Sequence, residues 1–115
     1  MIPRLEAVVV DCDDPLLLVR FWSHLLGGEA VDRDPDWAYV DPAGCPRLAF
    51  QRVPEGKAGK NRIHLDIEVD DIDAVADRLV AEHGAARVGV IVHDKLGDFQ
   101  IMHDPELNEF CLVSD

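Results

Sequence analysis

Residues 62–84, Arg62-Ile63-His64-Leu65-Asp66-Ile67-Glu68-Val69-Asp70-Asp71-Ile72-Asp73-Ala74-Val75-Ala76-Asp77-Arg78-Leu79-Val80-Ala81-Glu82-His83-Gly84, switch from one periodicity to another at Asp70. Before the switch, Ile63, Leu65, Ile67 and Val69 alternate with Arg62, His64, Asp66 and Glu68, the period of two of a half-buried strand. After it, Ile72, Val75, Ala76, Leu79 and Val80 recur at helical spacing. Asp71 offers an N-cap and Gly84 a stop. His83 stands in the last turn, where an imidazole suits the helix dipole.

The same sentence is written earlier in the chain. Asp13-Asp14 and Gly27 stand 57 residues ahead of Asp70-Asp71 and Gly84. Leu5–Cys12 is the strand-like run of this first copy. Pro15 occupies the first helical position, and Leu17, Leu18, Phe21, Trp22 and Leu25 form the apolar face. Working outward, each copy continues into further strand-like runs. In the first these are Glu29–Arg33, Trp37–Asp41 and Arg47–Val53, with Asp34-Pro35-Asp36 and Asp41-Pro42-Ala43-Gly44 as turns. In the second they are Ala86–His93, Asp98–Asp104 and Glu109–Val113, with Asp104-Pro105 as a turn. Residues 54–61, glycine-rich and basic for this chain, read as the linker. The order is βαβββ twice, and two copies are too few for a solenoid.

The reading is therefore one α+β domain spanning residues 1–115, with module one at about 4–53 and module two at about 62–114. Each helix covers one face of its own strands, so the expected architecture is a curled mixed sheet with helices on its convex side. The groove where the halves meet is the expected ligand site. Phe21, Trp22 and Leu25 are expected against Val8, Val10, Leu48 and Phe50. Ile72, Val75 and Leu79 are expected against Ile63, Leu65, Phe110 and Leu112.

Composition narrows the function. The chain has 115 residues, is 48% hydrophobic and carries a formal net charge of −12. That acidic balance repels phosphate backbones and anionic lipid, so neither nucleic acid nor membrane is an expected partner, while a cationic guest would be steered in. No apolar run approaches the roughly 20 residues of a membrane helix. Three dispersed cysteines, Cys12, Cys45 and Cys111, fit reduced thiols in a cytoplasm better than a disulfide framework.

These residues resemble the vicinal oxygen chelate superfamily of glyoxalases, extradiol dioxygenases and bleomycin-resistance proteins, and within it the small bacterial glyoxalase-like domain proteins. The resemblance is carried by Phe21-Trp22 before Leu26-Gly27-Gly28, Trp37 before Asp41-Pro42, and Phe50-Gln51-Arg52-Val53-Pro54-Glu55. It continues through Lys60-Asn61-Arg62, His64-Leu65-Asp66, Asp104-Pro105 and Asn108-Glu109-Phe110-Cys111. It implies the fold just described and a set of four metal ligands, usually His or Gln on the first strand of each half and Glu on the last. Here the set is broken. His64 matches, but its counterpart is Ala7, and the usual final Glu falls on Cys111. The remaining position falls on Ala49, with Gln51 two residues on. His64, Gln51 and Cys111 are a mismatched trio, since a catalytic divalent metal needs three good protein ligands and an open position. No metal and no other cofactor is expected.

What is left is a degenerate site suited to an organic guest. His64, Asp66, Gln51, Cys111, Trp37 and Tyr39 are the candidate ligand-binding residues, the two aromatics as a wall and His64 as the one group able to do acid–base work near neutrality. His24, His93 and His103 are given no role. The expected function is binding, and possible sequestration, of a small organic molecule or drug by a homodimer. The alternative is a lyase, isomerase or dioxygenase acting through His64 with or without a divalent metal.

Overall fold

The computed structural model describes all 115 residues, Met1–Asp115, and divides into two compact units, Met1–Lys57 and Ala58–Asp115. The elements of the first are β1 (Ala7–Cys12), α1 (Pro15–Leu26), β2 (Val31–Asp34), β3 (Trp37–Val40) and β4 (Arg47–Arg52). Those of the second are β5 (Leu65–Glu68), α2 (Ile72–His83), β6 (Ala86–Asp94), β7 (Gly97–His103) and β8 (Glu109–Ser114). The βαβββ repeat is real, and so is its topology. The sheets run β1-β4-β3-β2 and β5-β8-β7-β6, each with one parallel pair, β1 with β4 and β5 with β8. The fold is α+β, two four-stranded mixed sheets with one helix each.

Local chemistry sets the helix ends where the sequence placed them. The Asp14 side chain accepts from the Leu17 N–H at 3.2 Å, with Pro15 opening the helix, and Gly27 closes it at a φ of 80°. The Asp71 side chain accepts from the Ala74 N–H at 3.0 Å, and Gly84 closes α2 in the left-handed region that a Cβ disfavours.

In the first unit α1 buries Leu18, Val19, Phe21 and Trp22 over Ala38, Val40, Leu48 and Phe50. The Phe21 and Trp22 rings meet edge to face at 5.4 Å. Two expectations shift. Leu17 is 43% exposed and Leu25 only half-buried, because the buried stripe is rotated around the helix towards Val19. Val8 and Val10, on the edge strand β1, are likewise half-buried.

In the second unit Ile72, Ala76 and Leu79 lie over Met102, Phe110 and Leu112. Val80 sits on the flank and is 46% exposed. Ile63 is not in this core at all, being 79% exposed. The alternation of residues 62–69 overstates the strand, whose ladder starts only at Leu65 opposite Phe110. The reason is upstream. Asn61 donates its backbone N–H to the Glu109 carboxylate and its side-chain amide to the Glu109 carbonyl, both at 3.0 Å. That carbonyl is occupied before a longer β5 could reach it.

On β7 the wholly buried residues are Gln100 and Met102, with Phe99 and Ile101 on the opposite face of the strand. The β6–β7 register jumps between Val88 and Val92, so Gly89, Val90 and Ile91 bulge out opposite Gln100. The Gln100 amide nitrogen lies 3.3 and 3.2 Å from the Val88 and Gly89 carbonyls. Its oxygen accepts from Arg87 at 3.0 Å. Arg87 in turn reaches Asp73 and Asp77 on α2 at 3.0 and 2.8 Å, tying helix to sheet edge.

Candidate functional site

With Leu65, Ile67, Phe110 and Leu112 turned to α2, strand alternation sends Asp66, Glu68, Cys111 and Val113 to the opposite face. Register then aligns two rows across that face. Asp66 stands opposite Cys111, Cys111 opposite Ile101, and Ile101 opposite Val88. Beside it run Glu68, Val113, Phe99 and Val92. Each row is acidic at the β5 edge and apolar from β8 to β6. Ile101, Val88 and Val92 are 36%, 37% and 41% exposed, so the apolar strip is accessible within this unit.

His64, freed from the ladder by the short β5, turns to the acidic end of this face. Its Nε2 lies 3.2 Å from an Asp66 carboxylate oxygen, with both side chains about half exposed. Cys111 is the interior member, 9% exposed. Burial pushes its thiol pKa up, and the charge of Asp66, to which the thiol is hydrogen-bonded, pushes it further; Lys60 opposes them weakly. Cys111 is accordingly a thiol near neutrality and no ready nucleophile. One ligand atom from each of His64, Asp66 and Cys111 lies within 4.8 Å of the other two. Of the residues singled out from sequence, these three are brought together.

Trp37, Tyr39 and Gln51 belong to the first unit. Trp37 pairs with Gln51 and Tyr39 with Ala49 on the face away from α1. The Tyr39 ring is already covered, with the Arg47 guanidinium carbon 3.7 Å from its centroid. The Arg47 fork grips Asp41 at 2.8 and 3.1 Å and holds that carboxyl below its ordinary pKa. Arg33 sits 5.6 Å over Trp37. Sequence reading had no signal for these two stackings, because a cation and its ring need only be neighbours across a sheet. Ala7 lies opposite Arg47 and offers no donor atom. The first unit also carries an open cavity of about 440 Å³ near the start of α1, where Asp13, Asp14, Asp32 and Asp34 face Arg52. None of these was a sequence candidate.

The four-ligand metal set implied by resemblance does not fit this chain. Alanines, Ala7 and Ala49, occupy two of its positions, and the polar group beside His64 is Asp66, which is not one of the four.

Known structures share this fold. A glyoxalase/bleomycin resistance protein/dioxygenase family enzyme from Burkholderia phytofirmans is 20% identical, with a TM-score of 0.78 over 97% of this chain and 98% of its own. A bleomycin-binding protein from Streptomyces verticillus, solved with copper(II)-bleomycin, is 24% identical, with a TM-score of 0.67 over 100% of this chain and 99% of its own. A protein named as an oxidase is 19% identical, with a TM-score of 0.75 over 100% of this chain and 95% of its own. No curated protein sequence matches the chain. The glyoxalase-like domain family matches residues 7–113, from the first residue of β1 to the penultimate residue of β8. With the repeat, the sheet order and that match in agreement, the chain belongs to the glyoxalase-like domain family.

Proposed function

We propose that this protein binds a small organic molecule carrying an apolar body and a basic group, on the helix-free face of its second unit. The observation that carries the reading is the pairing of an accessible apolar strip, Val88, Ile101, Phe99 and Val113, with an acidic end at Asp66 and Glu68 beside His64. The strip takes the body and the carboxylates take the cation. The net charge of −12 steers such a guest inward. A fold relative that binds bleomycin supports sequestration as the purpose. On the first unit, Trp37, Tyr39 and Gln51 are proposed as contacts on their own sheet face.

A second reading has one specific support. Asp66 holds the His64 imidazole in a defined orientation, as a general base requires, so proton abstraction from a bound substrate is the enzymatic alternative. We also propose a twofold homodimer, favoured by exposed valines along the edge strand β6 and by the frequency of such assemblies. Sedimentation showing only monomer at tens of micromolar would refute it. The free thiols support residence in a reducing cytoplasm.

Binding is tested by calorimetry with metal-free bleomycin and with a cationic aromatic amphiphile, all in excess chelator. Saturable binding to the wild type is expected, weakened about tenfold, some 1.4 kcal/mol, by Asp66→Asn and again by Ile101→Asp. No binding of either probe at millimolar concentration, or binding indifferent to both substitutions, rejects the proposal.

A further inference from the structure

We propose that the segment ahead of β5 is a strap with two positions, and that a cationic guest selects between them. In the position seen here, Asn61 clamps Glu109 and holds the β5–β8 ladder one rung short. In the other, the clamp opens and the strand lengthens through His64. This rests on the binding reading above and names how that site is controlled. Two contacts make the clamp. The Asn61 N–H donates to the Glu109 carboxylate and the Asn61 side-chain amide to the Glu109 carbonyl, both at 3.0 Å. The ladder then begins at Leu65 opposite Phe110, and Ile63 is left 79% exposed.

The first module shows the missing rung. The repeat carries Ala7 to His64, and because Val8 opposite Leu48 corresponds to Leu65 opposite Phe110, Arg47 is the counterpart of Glu109. In the first unit Ala7 is paired with Arg47, whose N–H donates to the Glu6 carbonyl at 3.2 Å. The same rung in the second unit pairs His64 with Glu109 and joins the Glu109 N–H to the Ile63 carbonyl. It cannot coexist with the clamp. Strand residues advance about 3.3 Å each, so a straight strand with His64 opposite Glu109 carries Asn61 about 10 Å away, beyond the reach of its side chain. The chain instead bends at residues 62 and 63. One position or the other holds, never both.

A cation distinguishes the two positions. While the clamp holds, the His64 ring lies 3.2 Å from the Asp66 carboxylate and the Asn61 N–H engages that of Glu109. In the lengthened strand His64 and Asp66 stand about 6.6 Å apart at Cα, and their side chains run side by side instead of converging. Alternation puts Glu109 on the same face as Cys111, so its released carboxylate joins Asp66 and Glu68 at the acidic end. Lys60, close enough for its charge to act on Cys111, is carried off with the strap. A basic guest therefore gains a carboxylate and loses a competing cation only when the strand lengthens. That is the differential affinity a shift of populations requires. Ile63, turned with Leu65 towards α2, adds apolar burial to the lengthened position.

The test separates the strap from the binding reading. In the full-length chain without any guest, Asn61→Ala should move the Ile63 and His64 carbon chemical shifts into the strand range. It should also bring the Ile63 methyls into nuclear Overhauser contact with the Phe110 ring. A segment that Asn61 merely tethers would instead take random-coil shifts at residues 62–64. That outcome, or unchanged shifts, overturns the proposal. With metal-free bleomycin in excess chelator as the probe, Asn61→Ala should tighten binding about threefold or more and Ile63→Ser should weaken it by a similar factor, since each changes the fraction of chains in the lengthened position. An Ile63 with no second position would be indifferent to that substitution. Should Asn61→Ala fail to fold, Ile63→Ser, at an exposed position, still decides. Weaker binding in Asn61→Ala, or unchanged binding in Ile63→Ser, overturns the proposal. If the wild type binds no probe, the binding reading falls by itself, and the guest-free spectra decide whether the strand has two positions.

Discussion

Replacing Gln100 by Met keeps the volume of a buried side chain while deleting its amide. The cavity term is therefore small and the cost is polar. Gln100 is wholly buried, and its nitrogen serves the Val88 and Gly89 carbonyls of the β6 bulge. A carbonyl stranded away from water costs about 1–3 kcal/mol, and partial solvent access to this bulge puts each of the two near the lower half of that range. Arg87 loses an acceptor but keeps Asp73 and Asp77. The sum is a loss of about 2–4 kcal/mol. Urea unfolding followed by far-ultraviolet circular dichroism should show a lower midpoint with an unchanged slope. Hydrogen exchange should accelerate at Gly89, Val90 and Ile91. Because Gln100 and Arg87 act as one network, adding Arg87→Met should cost less than the two single losses summed. A change below about 0.5 kcal/mol with unaltered exchange at the bulge would refute the claim that Gln100 holds it, since even one stranded carbonyl exceeds that figure.

Phe21→Ala should cost about 3–5 kcal/mol, because the ring is 2% exposed and rests on Trp22, whose fluorescence should shift to the red; a loss under about 1 kcal/mol would contradict that burial. Thiol labelling at neutral pH should modify exposed Cys45 first and leave Cys12 and Cys111 slow. The folded chain holds the Cys111 proton more tightly than the unfolded chain does. Its contribution to stability is therefore complete below the ordinary thiol pKa and is lost as pH rises through the raised folded value. Labelling of Cys111 as fast as Cys45 at pH 7 would contradict this.

Much of this molecule is legible in one dimension because its determinants are local. A helix end depends on a cap and a stop within a few residues, so Asp14, Pro15, Gly27, Asp71 and Gly84 could be read directly, and a 57-residue echo disclosed the repeat. Half-buried alternation named the face that carries Asp66 and Cys111. Periodicity failed where a distant residue intervened. Ile63 alternates correctly and still lies outside the sheet, because Asn61 occupies the Glu109 carbonyl 48 residues away. Gln100 carries no interior signal in sequence, yet it is wholly buried, because a bulge on the neighbouring strand presents the Val88 and Gly89 carbonyls to its amide. Tyr39 is an aromatic wall in sequence and a platform for Arg47 in space. The sequence alone determined the repeat, the caps and the candidate residues, since each rests on neighbours along the chain. Tertiary structure decided which of those residues meet. His64, Asp66 and Cys111 come together because parallel pairing of β5 with β8 sets Asp66 opposite Cys111, and a ladder that begins at Leu65 leaves His64 free to turn towards Asp66.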